Sequence, residues 1–223
     1  MKGNLLTAEE VRDLVKAMIK LYPQDRSELN YSNDFELLCA VVLSAQTTDV
    51  AVNKVTPALF EAFPDPVAMA EANPEEISTL IQTIGLYKNK SKFLKKLSQQ
   101  LLDDFGGQVP QTREELVSLA GVGRKTANVV LANAFDIPAF AVDTHVERIC
   151  KKFKFVKPEA SVLEVEKQMM AYLPEKSWRQ SHHSILLFGR YQCTARKHDH
   201  DLCLKRLAEA MSGQMPKQLS SED

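Results

Sequence analysis

Two stretches of this sequence hold side chains whose types and spacing could do chemistry. The first is Gly121-Val122-Gly123-Arg124-Lys125, followed by Asp143 in Val-Asp-Thr-His. A lysine amine freed of its proton attacks an electrophilic carbon. The Schiff base it leaves then acidifies the neighbouring carbon. A carboxylate nearby stabilises positive charge in the transition state and relays protons. The plain structural readings are a phosphate-contacting lysine and a helix N-cap. The second stretch is CTARKHDHDLC, residues 193–203, with two cysteines and two histidines in eleven residues. It reads as a metal site, the remains of one, or a basic loop with accidental ligand types.

The first group needs a hairpin to position it. A helix through LVSLAG runs into Gly121-Val122-Gly123, and a second helix starts near Lys125. Glycines on either side of one apolar residue permit a tight turn, and backbone without Cβ lets a ligand come close. The second helix presents its N–H groups and the positive end of its dipole. Such a turn suits a DNA phosphate and reads no base. The alternative is a Gly-terminated helix in an ordinary bundle.

The remaining signals are helical. Thr7-x-x-Glu10 and Thr112-x-x-Glu115 have the spacing of capping boxes, and Asp65-Pro66 and Asn73-Pro74 read as N-caps followed by proline. FELLCAVVL, residues 35–43, is apolar nearly all round and predicts a buried helix. No period-two alternation is sustained, and FKFV at 153–156 is too isolated to make a sheet, so the chain reads as all-α. The 223 residues carry a net charge of -1, which excludes a protein coated in positive charge. Local runs differ: residues 86–100 hold five lysines and no acid, and 121–157 hold seven Lys/Arg against three acids, a local +4. Each run alone reads as a solvated helix face. No apolar run approaches the ~20 residues of a membrane span. Four cysteines make no disulfide framework, and the N-terminus shows no signal peptide. A reducing cytoplasmic location is expected.

LAGVGRKTANVV followed by AVDTHVERIC resembles the endonuclease III family of base-excision DNA glycosylases with abasic-site lyase activity. LNYSNDFELLCAVVLSAQTTDVAVNKV (29–55), IQTIGLYKNK (81–90) and SHHSILLFGRYQCTARK (181–197) resemble it in the same order, so the likeness covers roughly residues 10 to 205. The resemblance implies two helical domains with a helix-hairpin-helix motif and an interdomain DNA-binding cleft. One is a six-helix domain over 27–137 that holds the hairpin. The other joins 1–26 to 138–213, and the polar tail 214–223 is expected to be disordered.

The resemblance also implies roles. Lys125 is the nucleophile that attacks C1′ of a deoxyribose, displaces an oxidised pyrimidine, and permits elimination of the 3′ phosphate. Asp143 matches the family's catalytic aspartate. The target nucleotide must leave the stack, and Gln46 and Leu86 match the residues that fill the gap. Asp49 is expected to line the base pocket. Gly121, Val122, Gly123, Arg124 and Thr126 are expected to contact DNA, as are His145 and Arg190. His182 and His183 read equally as packed between helices. The expected partner is duplex DNA with a damaged base or abasic site, bound by a monomer at the bacterial nucleoid, with no membrane involved. Two alternatives remain. A non-enzymatic helix-hairpin-helix module would need neither Lys125 nor Asp143. The adenine-removing branch uses water and has no lysine at the hairpin position.

The family holds a [4Fe–4S] cluster near the C-terminus on Cys-x6-Cys-x2-Cys-x5-Cys, four thiolates. Laid from Cys193, that spacing falls on Cys193, His200, Cys203 and Glu209. Cys39 and Cys150 lie in apolar helical stretches, match no ligand position, and read as core. The expectation is a lost cluster and no cofactor, with Arg190, Arg196 and Lys197 still able to touch phosphates. A zinc site from Cys193, His198 or His200, and Cys203 is one alternative. A labile iron–sulfur cluster with His and Glu ligands is another. Ala120 stands where the family usually has proline, which is expected to loosen the turn slightly.

Overall fold

The computed structural model describes residues 4–211, and every regular element among them is helical. The tail 214–223, expected to be disordered, lies outside the described residues. The α-helices run α1 (Ala8–Leu21), α2 (Asp34–Leu43), α3 (Asp49–Ala62), α4 (Pro66–Glu71), α5 (Pro74–Leu80), α6 (Tyr87–Phe105), α7 (Arg113–Ser118), α8 (Arg124–Ala134), α9 (Thr144–Lys152), α10 (Val162–Tyr172), α11 (Trp178–Leu187) and α12 (His200–Ala210). A π-helical turn, Phe188–Gln192, continues α11. No described helix is long and apolar enough to cross a membrane. The chain divides into two compact units, Ser27–Ile137 and the remainder.

Local chemistry sets the helix starts. Thr7 and Glu10 form a reciprocal capping box on α1, and Asp65 caps α4 ahead of Pro66. At α7 the box is only half made. Thr112 Oγ1 accepts from the Glu115 N–H, but the Glu115 carboxylate accepts from the Thr112 hydroxyl, not its amide.

The unit 27–137 holds seven helices, α2 to α8, where the resemblance implies six; α4 and α7 are six residues each. FELLCAVVL forms α2 and is buried along almost its whole length, Cys39 included. It packs on α8, α3 and α6, and α6 in turn lies along α4 and α5.

In the other unit α1 packs on α11, α12 and α10, while α9 packs on α11 and the π turn. Its core centres on Phe140, Phe153, Phe155 and Phe188, all fully buried. Phe153 meets Phe188 edge-on, ring centres 5.7 Å apart. Burying each such ring stabilises by about 1.5–3 kcal/mol. Cys150, Cys193 and Cys203 belong to this core, and all four cysteines of the chain are free thiols.

Candidate active site

The hairpin is built from α7, the turn at 119–123 and α8. Gly121 has φ +78°, a left-handed conformation that side chains disfavour. A Cβ there would also stand 3.0 Å from the Phe93 ring and Cβ, on α6. Val122 is buried and gives its N–H to Leu119 O at 3.1 Å, so it anchors the turn. Gly123 caps α8 with extended backbone, and a Cβ there would meet nothing within 4 Å. Intrahelical bonding starts with the Ala127 N–H donating to Gly123 O at 2.9 Å. The first-turn amides therefore lie at the open, positive end of the helix. Arg124 and Lys125 are exposed on that turn, and Thr126 is half-buried.

Two long-range contacts hold the hairpin, neither legible from local spacing. Gln100 on α6 accepts from the Ala120 N–H at 2.8 Å and donates to Ser118 O at 3.1 Å. Arg113 Nε donates to Asn128 Oδ1 at 2.8 Å, tying α7 to α8. A proline at 120 would lack the N–H that Gln100 receives. Alanine therefore trades ring rigidity for a hydrogen bond, which offsets the expected loosening.

Gln46 and Leu86 are brought together within the unit 27–137. Both have positive φ, 55° and 60°, without being glycine. Such strain costs about 1–3 kcal/mol per residue and clusters at functional sites. Gln46 is exposed, and Leu86 is 53% exposed at the N-cap of α6. The two turns are neighbours: a Cβ on Gly85 would lie 3.9 Å from Gln46 O. Lys90 joins them, donating from Nζ to Thr47 Oγ1 at 2.7 Å. Its burial eases loss of the ammonium proton. The sequence reading missed this tie, because Lys90 sits in a lysine run read as a solvated face. Lys95 of the same run donates to Ala70 O and Ala72 O at the end of α4. Asp49 opens α3 and is half-buried.

In the other unit, Asp143 is the N-cap of α9, and its Oδ1 accepts from the Val146 N–H at 2.8 Å. Its carboxylate is fixed, half-buried, at a helix N-terminus. His145, also half-buried, faces Gly189, where a Cβ would come within 3.2 Å of His145 Cβ and 3.0 Å of Ile149 Cγ1. The turn carrying Arg190 thus packs flush on α9. His182 and His183 are buried against each other, ring centres 4.9 Å apart, and His182 Nδ1 lies 2.8 Å from Ala141 O. They are packing residues here.

The loop 193–203 brings four donors together. Cys193, His198, His200 and Cys203 offer ligand atoms all within 4.8 Å of one another. Both sulfurs are buried and both imidazoles half-buried. Burial pushes the Cys193 thiol up to about 11. Glu209, where the family's spacing puts its fourth ligand, is exposed on α12 and outside the group. The cube of a [4Fe–4S] cluster takes four thiolates and spreads them further apart than a single ion does. Two sulfurs and two nitrogens this close do not fit it.

Comparison with known proteins agrees with this architecture. Residues 39–175 match the family described as HhH-GPD superfamily base excision DNA repair protein. The endonuclease III of Bacillus subtilis is 46% identical over 192 residues, 86% of this chain and 88% of the relative. That of Escherichia coli K12 is 47% identical over 175 residues, 78% of this chain and 82% of the relative. A trapped endonuclease III–DNA covalent intermediate superposes with TM-score 0.84 at 48% identity, covering 86% of this chain and 91% of that one. A non-covalent endonuclease III–DNA complex gives 0.87 at 45% identity, covering 93% and 98%. A fixed N-cap carboxylate, a lysine heading a glycine hairpin helix and a match over most of the chain converge: this protein belongs to the HhH-GPD superfamily of base excision DNA repair proteins, and within it to the endonuclease III family.

Proposed function

We propose that this protein is a bifunctional DNA glycosylase and abasic-site lyase that removes oxidised pyrimidines from duplex DNA. The observation that carries the reading is Lys125, exposed on the first turn of α8 directly after the glycine hairpin. Its free amine attacks C1′, and the C1′–N bond breaks with the electron pair leaving on the base, which takes up a proton. Ring opening gives a Schiff base between Nζ and C1′. Loss of a C2′ proton expels the 3′ phosphate by β-elimination, and water then releases the lysine. The Asp143 carboxylate, held by the Val146 N–H, offsets positive charge at C1′ and handles protons. Gln46 and Leu86 fill the gap left by the extruded nucleotide. Asp49 lines the base pocket, and Gly121–Thr126, His145 and Arg190 meet the backbone. Lys125 disfavours the adenine-removing branch, which uses water. No step needs a cofactor. Four free thiols support a reducing, cytoplasmic setting beside the nucleoid.

Borohydride reduction in the presence of abasic duplex tests this. The native chain becomes covalently joined to DNA, and Lys125→Ala does not. Absence of trapping with the native chain overturns the lyase reading and leaves the two alternatives, a non-enzymatic DNA-binding module and a glycosylase that uses water.

A further inference from the structure

We infer that Cys193, His198, His200 and Cys203 form a tetrahedral site for one zinc ion, where the family carries an iron–sulfur cluster. Two thiolates and two imidazoles are a donor set zinc takes readily. Bond lengths of about 2.3 Å to sulfur and about 2.0 Å to nitrogen put tetrahedral ligands about 3.5 Å apart. Cys193 Sγ lies 3.4 Å from His198 Nε2 and 3.8 Å from His200 Nδ1, and all four donors fall within 4.8 Å. The spacing is Cys-x4-His-x-His-x2-Cys, unlike the usual finger, so sequence templates pass over it. Convergence depends on the fold: Cys193 ends the π turn, His198 sits in the following loop, and His200 and Cys203 share one face of the first turn of α12.

The surroundings orient the ligands as metal sites require. His198 Nδ1 lies 2.9 Å from Arg196 O, which favours the tautomer with Nε2 free toward the sulfur. His200 leans edge-on against Phe153, ring centres 5.7 Å apart. Arg148 donates to Cys193 O at 2.7 Å and Gly189 O at 2.8 Å, fixing the strand of chain that carries Cys193. Asp199 caps α12 through the Leu202 N–H, which sets the direction of His200 and Cys203. Two thiolates neutralise Zn2+, so the ion adds no net charge beside a core. The half-buried imidazoles leave an approach from solvent.

The test is metal content and cobalt binding of the full chain. Protein made in medium containing both zinc and iron is expected to hold one zinc per chain and no acid-labile sulfide. After chelation, Co2+ alone is expected to produce the intense visible bands of a tetrahedral thiolate site, saturating at one equivalent. His198→Ala is expected to weaken cobalt binding by about 100-fold or more and to lose the tetrahedral bands. Glu209→Gln is expected to leave both unchanged. His198 is half-buried, so its variant should fold, and far-UV circular dichroism checks this. Iron with sulfide in the purified chain overturns the inference, as does folded protein that takes up neither zinc nor cobalt. Cobalt bands lost in Glu209→Gln but kept in His198→Ala overturn it too.

Discussion

At the scale of single residues, Asp143 caps α9 and is proposed to act at C1′ with the same carboxylate, and the two roles can be separated. Asparagine caps helices as well as aspartate, so Asp143→Asn should keep the Val146 bond and change stability by no more than about 0.5 kcal/mol, whereas Asp143→Ala should cost about 1 kcal/mol. Single-turnover base release by the Asn variant is expected to fall by about 100-fold or more, because the charge is gone. A near-native rate in that variant would remove Asp143 from the chemistry. The hairpin glycines divide in the same way. Gly121→Ala meets both positive φ and the Phe93 ring, and urea unfolding should show a loss of about 1–3 kcal/mol. Gly123→Ala has room, so its stability should stay within about 1 kcal/mol while affinity for abasic duplex drops about tenfold or more. Capping and Gly-x-Gly signals are local, which is why the hairpin and the N-cap at Asp143 were legible in the sequence, whereas the roles proposed for Lys125 and Asp143 rest on the family resemblance. Phe93 stands twenty-eight residues before Gly121, and no local pattern links them.

At the scale of elements, α6 does the organising. It starts at the strained Leu86 turn, ties that turn to Thr47 through Lys90, supports Gly121 with Phe93 and grips the hairpin with Gln100. Lys90 to Gln100 spans about 15 Å of helix. Lys90→Met should leave fold and hairpin intact but loosen Gln46 against Leu86, lowering affinity for abasic duplex. The pH dependence has a definite sign. Burial lowers the proton affinity of Lys90 in the folded chain, so unfolding takes up a proton between that lowered value and the ordinary 10.5. Stability of the native chain relative to Lys90→Met therefore rises with pH through that alkaline window; below it the cost of burying the ammonium remains in full. Urea unfolding of both proteins at neutral and alkaline pH checks this, and a difference independent of pH would contradict it. The sequence showed that α6 exists but not what it does. A run of five lysines reads as a solvated face, and only packing reveals that Lys90 turns inward and Lys95 caps α4. The iron–sulfur spacing likewise pointed to Glu209, while a bent loop delivers His198 instead.

At the scale of the whole molecule, a net charge of -1 is compatible with the proposed DNA binding because cations are concentrated locally. Affinity for abasic duplex should fall linearly with the logarithm of salt, each neutralised phosphate adding about 0.9 to the slope. Arg124→Ala and Arg190→Ala should each lower that slope by about one and weaken binding evenly across sequences. Unchanged slopes would take those arginines off the phosphates. Helix content, the buried α2 and most helix starts were legible because apolar periodicity and caps are short-range. The Gln46 and Leu86 conformations were not, since nothing in either residue's type announces a left-handed backbone. That conformation bears on how the protein has been selected. Asparagine tolerates it better than leucine, so Leu86→Asn is expected to resist urea as well as the native chain or better, by up to about 1 kcal/mol, while holding abasic DNA less well. A lineage screened only for thermal endurance would drift toward Asn or Gly at 46 and 86. On the proposed function, Gln and Leu at these positions mark a compromise in which durability yields to the work of prying open a base stack.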